Sequence, residues 1–235
     1  MIFKLFTASS PDAMREVIIT LLMWLPIILF SLSLHESAHA YVAYKMGDPT
    51  ARNLGRVSLN PFKHLDPIGF LTMLVIGFGW AKPVPINARR FNNPRKGMAI
   101  SSLAGPVSNF LLAVVFALFA GATVWVWNIL PKTAESFERS YILATYTLRF
   151  FYYGVFLNVS LAVFNFIPIP PLDGSRVLNL LLPAKYYFSI MKYERYIAIG
   201  FMVLVIAASR LWGISLIGWI VEPIVDGLLG LVGVF

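Results

Sequence analysis

His35 and His39 lie four residues apart with Glu36 between them, in the stretch SLHESAHA that closes an apolar run from Val17 to Leu34. If that run is helical, residues i and i+4 share one face, and two imidazoles can aim at a common point. H-E-x-x-H on a helix is the pattern of two zinc ligands with the glutamate as general base. A chance match of a short pattern is the bland alternative. Ionisable side chains are costly inside an apolar segment and mark a functional site there, so the setting favours a metal.

A catalytic zinc takes three protein ligands and keeps one position open. The stretch NFIPIPPLDG offers Asp173, in a break where Pro168, Pro170 and Pro171 end a helix and Gly174 allows a tight turn. Taken alone, Asp173 would cap the helix that follows it. Beside an incomplete zinc site at the matching membrane depth, it is the expected third ligand. The expected cofactor is one Zn2+ per chain, held by His35, His39 and Asp173.

The elements that must carry these residues are membrane spans. The chain has 235 residues, 58% of them hydrophobic and only 13% charged, with a mean hydropathy of +0.75. That composition is far from an average soluble domain. The net charge of +8 does not indicate nucleic acid, because the basic residues sit in loops between apolar spans, where orientation signals belong. Cysteine is absent, which excludes disulfides, thiolate catalysis and thiolate metal ligation. The Val17–Leu34 run is longer than the roughly 7–15 residues of a signal-peptide core, and its flank mixes Asp12 and Glu16 with Lys4 and Arg15. It is expected to stay as an anchor.

Apolar stretches long or nearly long enough to cross a bilayer run from about Val17 to Lys45, Met98 to Leu130, Tyr141 to Phe166 and Tyr196 to Ser209. After a break at Arg210–Gly213, a last tract holding Glu222, Pro223 and Asp226 is expected at the interface. The expected fold is an α-helical polytopic membrane protein with about four to six transmembrane helices and a membrane-dipping β-like loop. One membrane-embedded domain would cover residues 1–235, with a catalytic core near 17–182 and a C-terminal span and interfacial tract near 194–235.

The loop after the first span carries Arg52, Arg56, Lys63, Lys82, Arg89, Arg90, Arg95 and Lys96 against Asp48 and Asp66. The loop through Arg176, Lys185, Lys192 and Arg195 is also basic. Placing both in the cytoplasm puts the amino terminus outside and the histidine pair in the cytoplasmic half of its span. A prokaryotic plasma membrane suits so compact a chain. Within the first basic loop, FLTMLVIGFGW is strongly apolar, and GWAKPVPIN alternates Pro83 and Pro85 with Val84 and Ile86. Proline at that density rules out a regular helix and restricts a strand to a sheet edge.

Several separated blocks together resemble the site-2 protease family of intramembrane zinc metalloproteases: HESAHA, AGPVSNF, NFIPIPPLDG, NPFKHLDPIG and GWAKPVPIN. They cover roughly residues 30–180, and the chain looks like a compact member without a PDZ or CBS-like extension. The resemblance implies zinc on His35, His39 and Asp173, with Glu36 as acid/base. It also implies that Asn109 hydrogen-bonds the substrate carbonyl or oxyanion; interhelical packing beside Gly105 and Ser108 is the equally weighted alternative. Asn165 is an expected substrate-strand or loop-orienting residue. His64 is expected to be a plain loop histidine, with an auxiliary role as the alternative.

The expected activity is hydrolysis of peptide bonds in or near transmembrane segments of membrane-protein substrates, as in regulated intramembrane proteolysis. Such a substrate must unwind before its carbonyl is reachable, so an extended edge at Trp80, Pro83, Val84 and Pro85 is expected to pair with it. The expected partners are a transmembrane-protein substrate and the lipid bilayer, with no nucleic acid; pairing into a homodimer is left open. The competing readings are a membrane transporter, which would not need Glu36 in zincin order, and a non-catalytic metal-binding scaffold, which would want four protein ligands.

Overall fold

The computed structural model describes residues 9–76, 79–130, 134–211 and 218–234, and among them the regular structure is helical. The chain forms two compact units, Met1–Gly105 and Pro106–Phe235.

The first unit opens with α1 (Pro11–Lys45), whose start is set by Ser10: its hydroxyl accepts the Ala13 N–H at 3.1 Å, with Pro11 at the first helical position. The second half of α1 buries Ser31, Ser33, His35, His39, Ala40 and Ala43. These small and polar residues let other segments approach the helix closely. Beyond it come α2 (Thr50–Asn53), a 3-10 turn (Pro61–Lys63) and α3 (Pro67–Ile76). Both α2 and the 3-10 turn pack on α1.

Asp48, fully buried, ties this corner together. Its carboxylate accepts from the Thr50 N–H at 3.0 Å, the Thr50 hydroxyl, and the Asn87 N–H at 2.6 Å. Burial alone would raise the Asp48 pKa, but these bonds and the nearby Arg90 charge outweigh it and hold the carboxyl below its ordinary range.

Within the loop expected to be β-like, the apolar tract through Ile76 belongs to the ten-residue helix α3, while Gly77 and Phe78 lie outside the described residues. Asp66 starts it by accepting the Ile68 and Gly69 N–H groups at 3.0 and 2.8 Å, with Pro67 at the first position. At 1.5 Å per residue it is about 15 Å long, too short to cross a bilayer. Among the described residues extended pairing reduces to a single antiparallel bridge, Leu65 to Ala81. It goes no further because Pro83 and Pro85 lack the N–H a ladder needs.

Helix α4 (Pro94–Ile129) contains the division between the units. The second unit holds its later part, then α5 (Ala134–Phe166), α6 (Gly174–Leu181), α7 (Ala184–Met191), α8 (Glu194–Leu211) and α9 (Gly218–Leu231). Ala113, Ala117 and Ala120 of α4, Val155 and Val159 of α5, and Val221, Val225 and Leu229 of α9 form its core.

Among the described residues three helical stretches are long and apolar enough to cross a membrane: Pro11–Lys45, Pro94–Ile129 and Phe137–Phe166. Helix α8 has 18 residues, about 27 Å, and covers the fourth expected span. Of the break expected after it, Trp212 and Gly213 lie outside the described residues. Helix α9 forms the tract expected at the interface. Val221, Val225 and Leu229 repeat every four residues and bury one stripe in the core, while Glu222 and Asp226 fall on the exposed side. Two acids in sequence did not reveal that they share the outer face.

Candidate metal centre

Helix periodicity brings His35 and His39 together as their spacing predicts. Both are 6% exposed. Their Nε2 atoms lie 3.0 Å apart, with the rings edge to face at 89°. His39 Nδ1 is 2.7 Å from the Ser101 carbonyl oxygen. A carbonyl can only accept, so Nδ1 carries the proton and Nε2 presents its lone pair. That is the tautomer a metal ligand needs, oriented by an outer hydrogen bond.

Two nitrogens bound at about 2.0–2.1 Å to one tetrahedral ion sit roughly 3.3 Å apart. The observed 3.0 Å needs only a slight parting of the rings. The residues present therefore fit zinc.

Gly105 makes room for the pair. A Cβ there would lie 2.4 Å from His39 Nε2 and 2.5 Å from His35 Cε1, so no side chain fits without displacing the rings. Gly105→Ala is expected to lower zinc affinity about 10–100-fold, the range for disturbing the orientation of a metal ligand. Metal titration of the purified, folded variant checks this. Unchanged affinity would mean that the rings are free to move.

Glu36 follows His35 on α1 and is half-buried. His64 lies in the loop between α2 and α3 and is buried. It is 1% exposed, with Nε2 2.7 Å from the Ser58 carbonyl and Nδ1 buried without a hydrogen-bond partner. Burial pushes its imidazole below the ordinary histidine pKa; the Ser58 bond and the Glu36 charge oppose this, while Arg56 and Lys63 add to it.

The segment from Trp80 to Asn87 is held at both ends. The Lys82 N–H donates to the His64 carbonyl at 2.8 Å, the Arg56 guanidinium donates to the Lys82 carbonyl, and Asp48 takes the Asn87 N–H. Between these anchors Pro83 is exposed and Val84 and Pro85 are half-buried; Trp80, ahead of the first anchor, is exposed. Among the described residues no hydrogen bond engages the Val84 or Ile86 N–H.

In the second unit Asn109 is fully buried and donates its amide N–H to Asn158 Oδ1 at 2.8 Å; Asn158 in turn donates to the Gly154 carbonyl at 2.9 Å. This amide links α4 to α5. Asn158 went unnoticed in the sequence reading, although a lone asparagine inside the apolar VFLNVSL carries the same signal as Asn109. Asn165 bonds back to the Leu161 carbonyl of its own helix at 3.0 Å.

Asp173 stands just before α6, and its side chain makes no capping bond to that helix. The capping role open to it in sequence is not the one it plays. Gly174 behind it is required: a Cβ would lie 2.3 Å from the Phe166 carbonyl at the end of α5, so the break folds tightly back on that helix. Arg176, on the next turn, pairs with Glu194 at 3.0 Å and ties α6 to α8.

The model of peptidase family M50 matches residues 23–208. The chain is 43% identical over 177 residues to "Putative zinc metalloprotease YwhC" of Bacillus subtilis (strain 168), covering 75% of this chain and 77% of that one. It is 30% identical over 200 residues to "Putative zinc metalloprotease Rip2" of Mycolicibacterium smegmatis, covering 81% of this chain and 70% of the relative. With "Zinc metalloprotease MJ0392" of Methanocaldococcus jannaschii it shares 27% identity over 161 residues, 68% of this chain but only 34% of that longer protein. No solved structure matches the chain with significance. The match over most of its length, together with apolar helices long enough to cross a bilayer, identifies an integral membrane protein that belongs to peptidase family M50, the site-2 protease family of zinc metalloproteases.

Proposed function

We propose that the chain is an intramembrane zinc endopeptidase, in which His35, His39 and Asp173 hold one Zn2+ and Glu36 serves as general base and acid. The observation that carries the reading is the convergence of His35 and His39 Nε2, with the His39 tautomer set by the Ser101 carbonyl. Family membership and the non-capping Asp173 carboxylate support it. Bound there, zinc supplies a Lewis acid that polarises the scissile carbonyl and lowers the pKa of a water to about 7.

The protein's own part is proton handling and substrate positioning. Glu36 takes a proton from the attacking water and delivers it to the departing nitrogen as the C–N bond breaks. The substrates are transmembrane segments that present an unwound stretch of chain. Both basic loops face the cytoplasm, the amino terminus lies outside, and the host is a prokaryotic plasma membrane.

The strip from Trp80 to Asn87 receives the unwound stretch. Val84 and Ile86 are two residues apart, so in an extended chain their N–H groups point the same way and can bond substrate carbonyls. Val84→Pro with Ile86→Pro removes both donors. On a model transmembrane peptide, the wild type is expected to cut inside the apolar segment. The double variant should slow that cut at least about tenfold more than the cut of an unfolded peptide, since two hydrogen bonds of about 1 kcal/mol are lost. Mass spectrometry of timed digests reads both. Equal slowing on the two substrates would contradict the role of the strip, and cuts confined to soluble flanks would contradict intramembrane cleavage.

A further inference from the structure

His64 and Arg56 each bury a polar atom that the fold leaves unsatisfied. His64 Nε2 donates to the Ser58 carbonyl at 2.7 Å, so in the neutral ring Nδ1 is a bare acceptor. It is buried without a partner, as is the Arg56 Nε donor. His64 is 1% exposed and Arg56 7%. Native proteins rarely leave such groups unpaired, and those that stay unpaired call for a functional or solvent explanation.

Their position narrows the explanation. Both residues hold the backbone of Lys82: the His64 carbonyl takes its N–H and the Arg56 guanidinium donates to its carbonyl. The 3-10 turn that leads into His64 packs on α1, the helix that carries Glu36, and the Glu36 charge reaches the His64 ring. A bare acceptor and a bare donor on two residues that both hold Lys82 match the N–H and C=O of a main chain better than they match an apolar side chain. Burial does not argue against a substrate role, because His35 and His39 are themselves only 6% exposed.

We infer that His64 is a substrate-binding residue whose bare Nδ1 accepts a hydrogen bond from one main-chain N–H of the peptide, next to the bond being cut. This rests on the protease reading. It makes His64 part of the register that sets where an unwound substrate lies relative to Glu36.

The test uses the full-length protein in detergent and a synthetic peptide of about 20 apolar residues with lysine flanks, made as the all-amide form and as a set in which single non-scissile amides become esters. His64→Gln places an amide N–H where Nε2–H meets Ser58 but leaves nothing at the Nδ1 position. The variant is expected to bind zinc as the wild type does and to cut the all-amide peptide about tenfold more slowly, the size of one lost hydrogen bond. At one position the ester should slow the wild type about tenfold and leave His64→Gln unaffected, because both changes remove the same bond. If His64→Gln cuts like wild type, or if no ester position loses its effect in the variant, the assignment is overturned and the Nδ1 partner is a buried water or nothing. If the wild type does not cut the all-amide peptide at all, the protease reading falls and this inference with it.

Discussion

Glu36→Gln is expected to keep zinc at the wild-type level while cleavage falls roughly 10²- to 10⁴-fold, the range for losing a positioned general base. The substitution is nearly isosteric, so helix α1 and the two flanking histidines keep their places. In an H-E-x-x-H helix the glutamate is one residue, about 100°, round from the first ligand, and it reaches toward the water rather than the metal. The amide can neither take a proton from that water nor return one to the departing nitrogen. Zinc content and cleavage of a model transmembrane peptide, measured on one preparation, separate the two roles. A variant that keeps more than about a tenth of wild-type activity would remove Glu36 from the proton path.

Asp173→Ala carries the second large effect. Removing one of three ligands should cost more than the about 10–100-fold loss seen when only an outer hydrogen-bond partner is removed. The purified variant is therefore expected to hold almost no zinc and to be inactive. The alternative role, capping α6, predicts a different pattern: a cap is worth about 1 kcal/mol of stability and would leave metal and activity in place. The carboxylate makes no capping bond to α6, so melting should shift little while zinc is lost. Retained zinc with full activity would place the third ligand elsewhere.

The parts of this site that lie close together in sequence were legible from it. The i, i+4 histidines need only a helix to meet, and the apolar run before them provides one. The long spans were legible for the same reason, since hydropathy is a local property. What escaped depends on contacts distant in sequence. The Ser101 carbonyl that orients His39 is a main-chain atom 62 residues away, and no residue type announces it. The burial of His64 arises from the fold of a polar loop that reads as exposed. The helix before Trp80 was not read from the sequence, because its start depends on Asp66 and Pro67 outweighing apolar strand character. In α9 the buried stripe at Val221, Val225 and Leu229 was present in the spacing, but Glu222 and Asp226 drew attention from it.

The most direct measurement is zinc stoichiometry and peptide cleavage on one sample of purified full-length protein, before and after chelation and again after zinc is restored. The expected result is one zinc per chain, loss of cleavage in step with loss of metal, and recovery on adding zinc back. Cleavage that persists in fully zinc-free protein would contradict a zinc protease centred on His35 and His39.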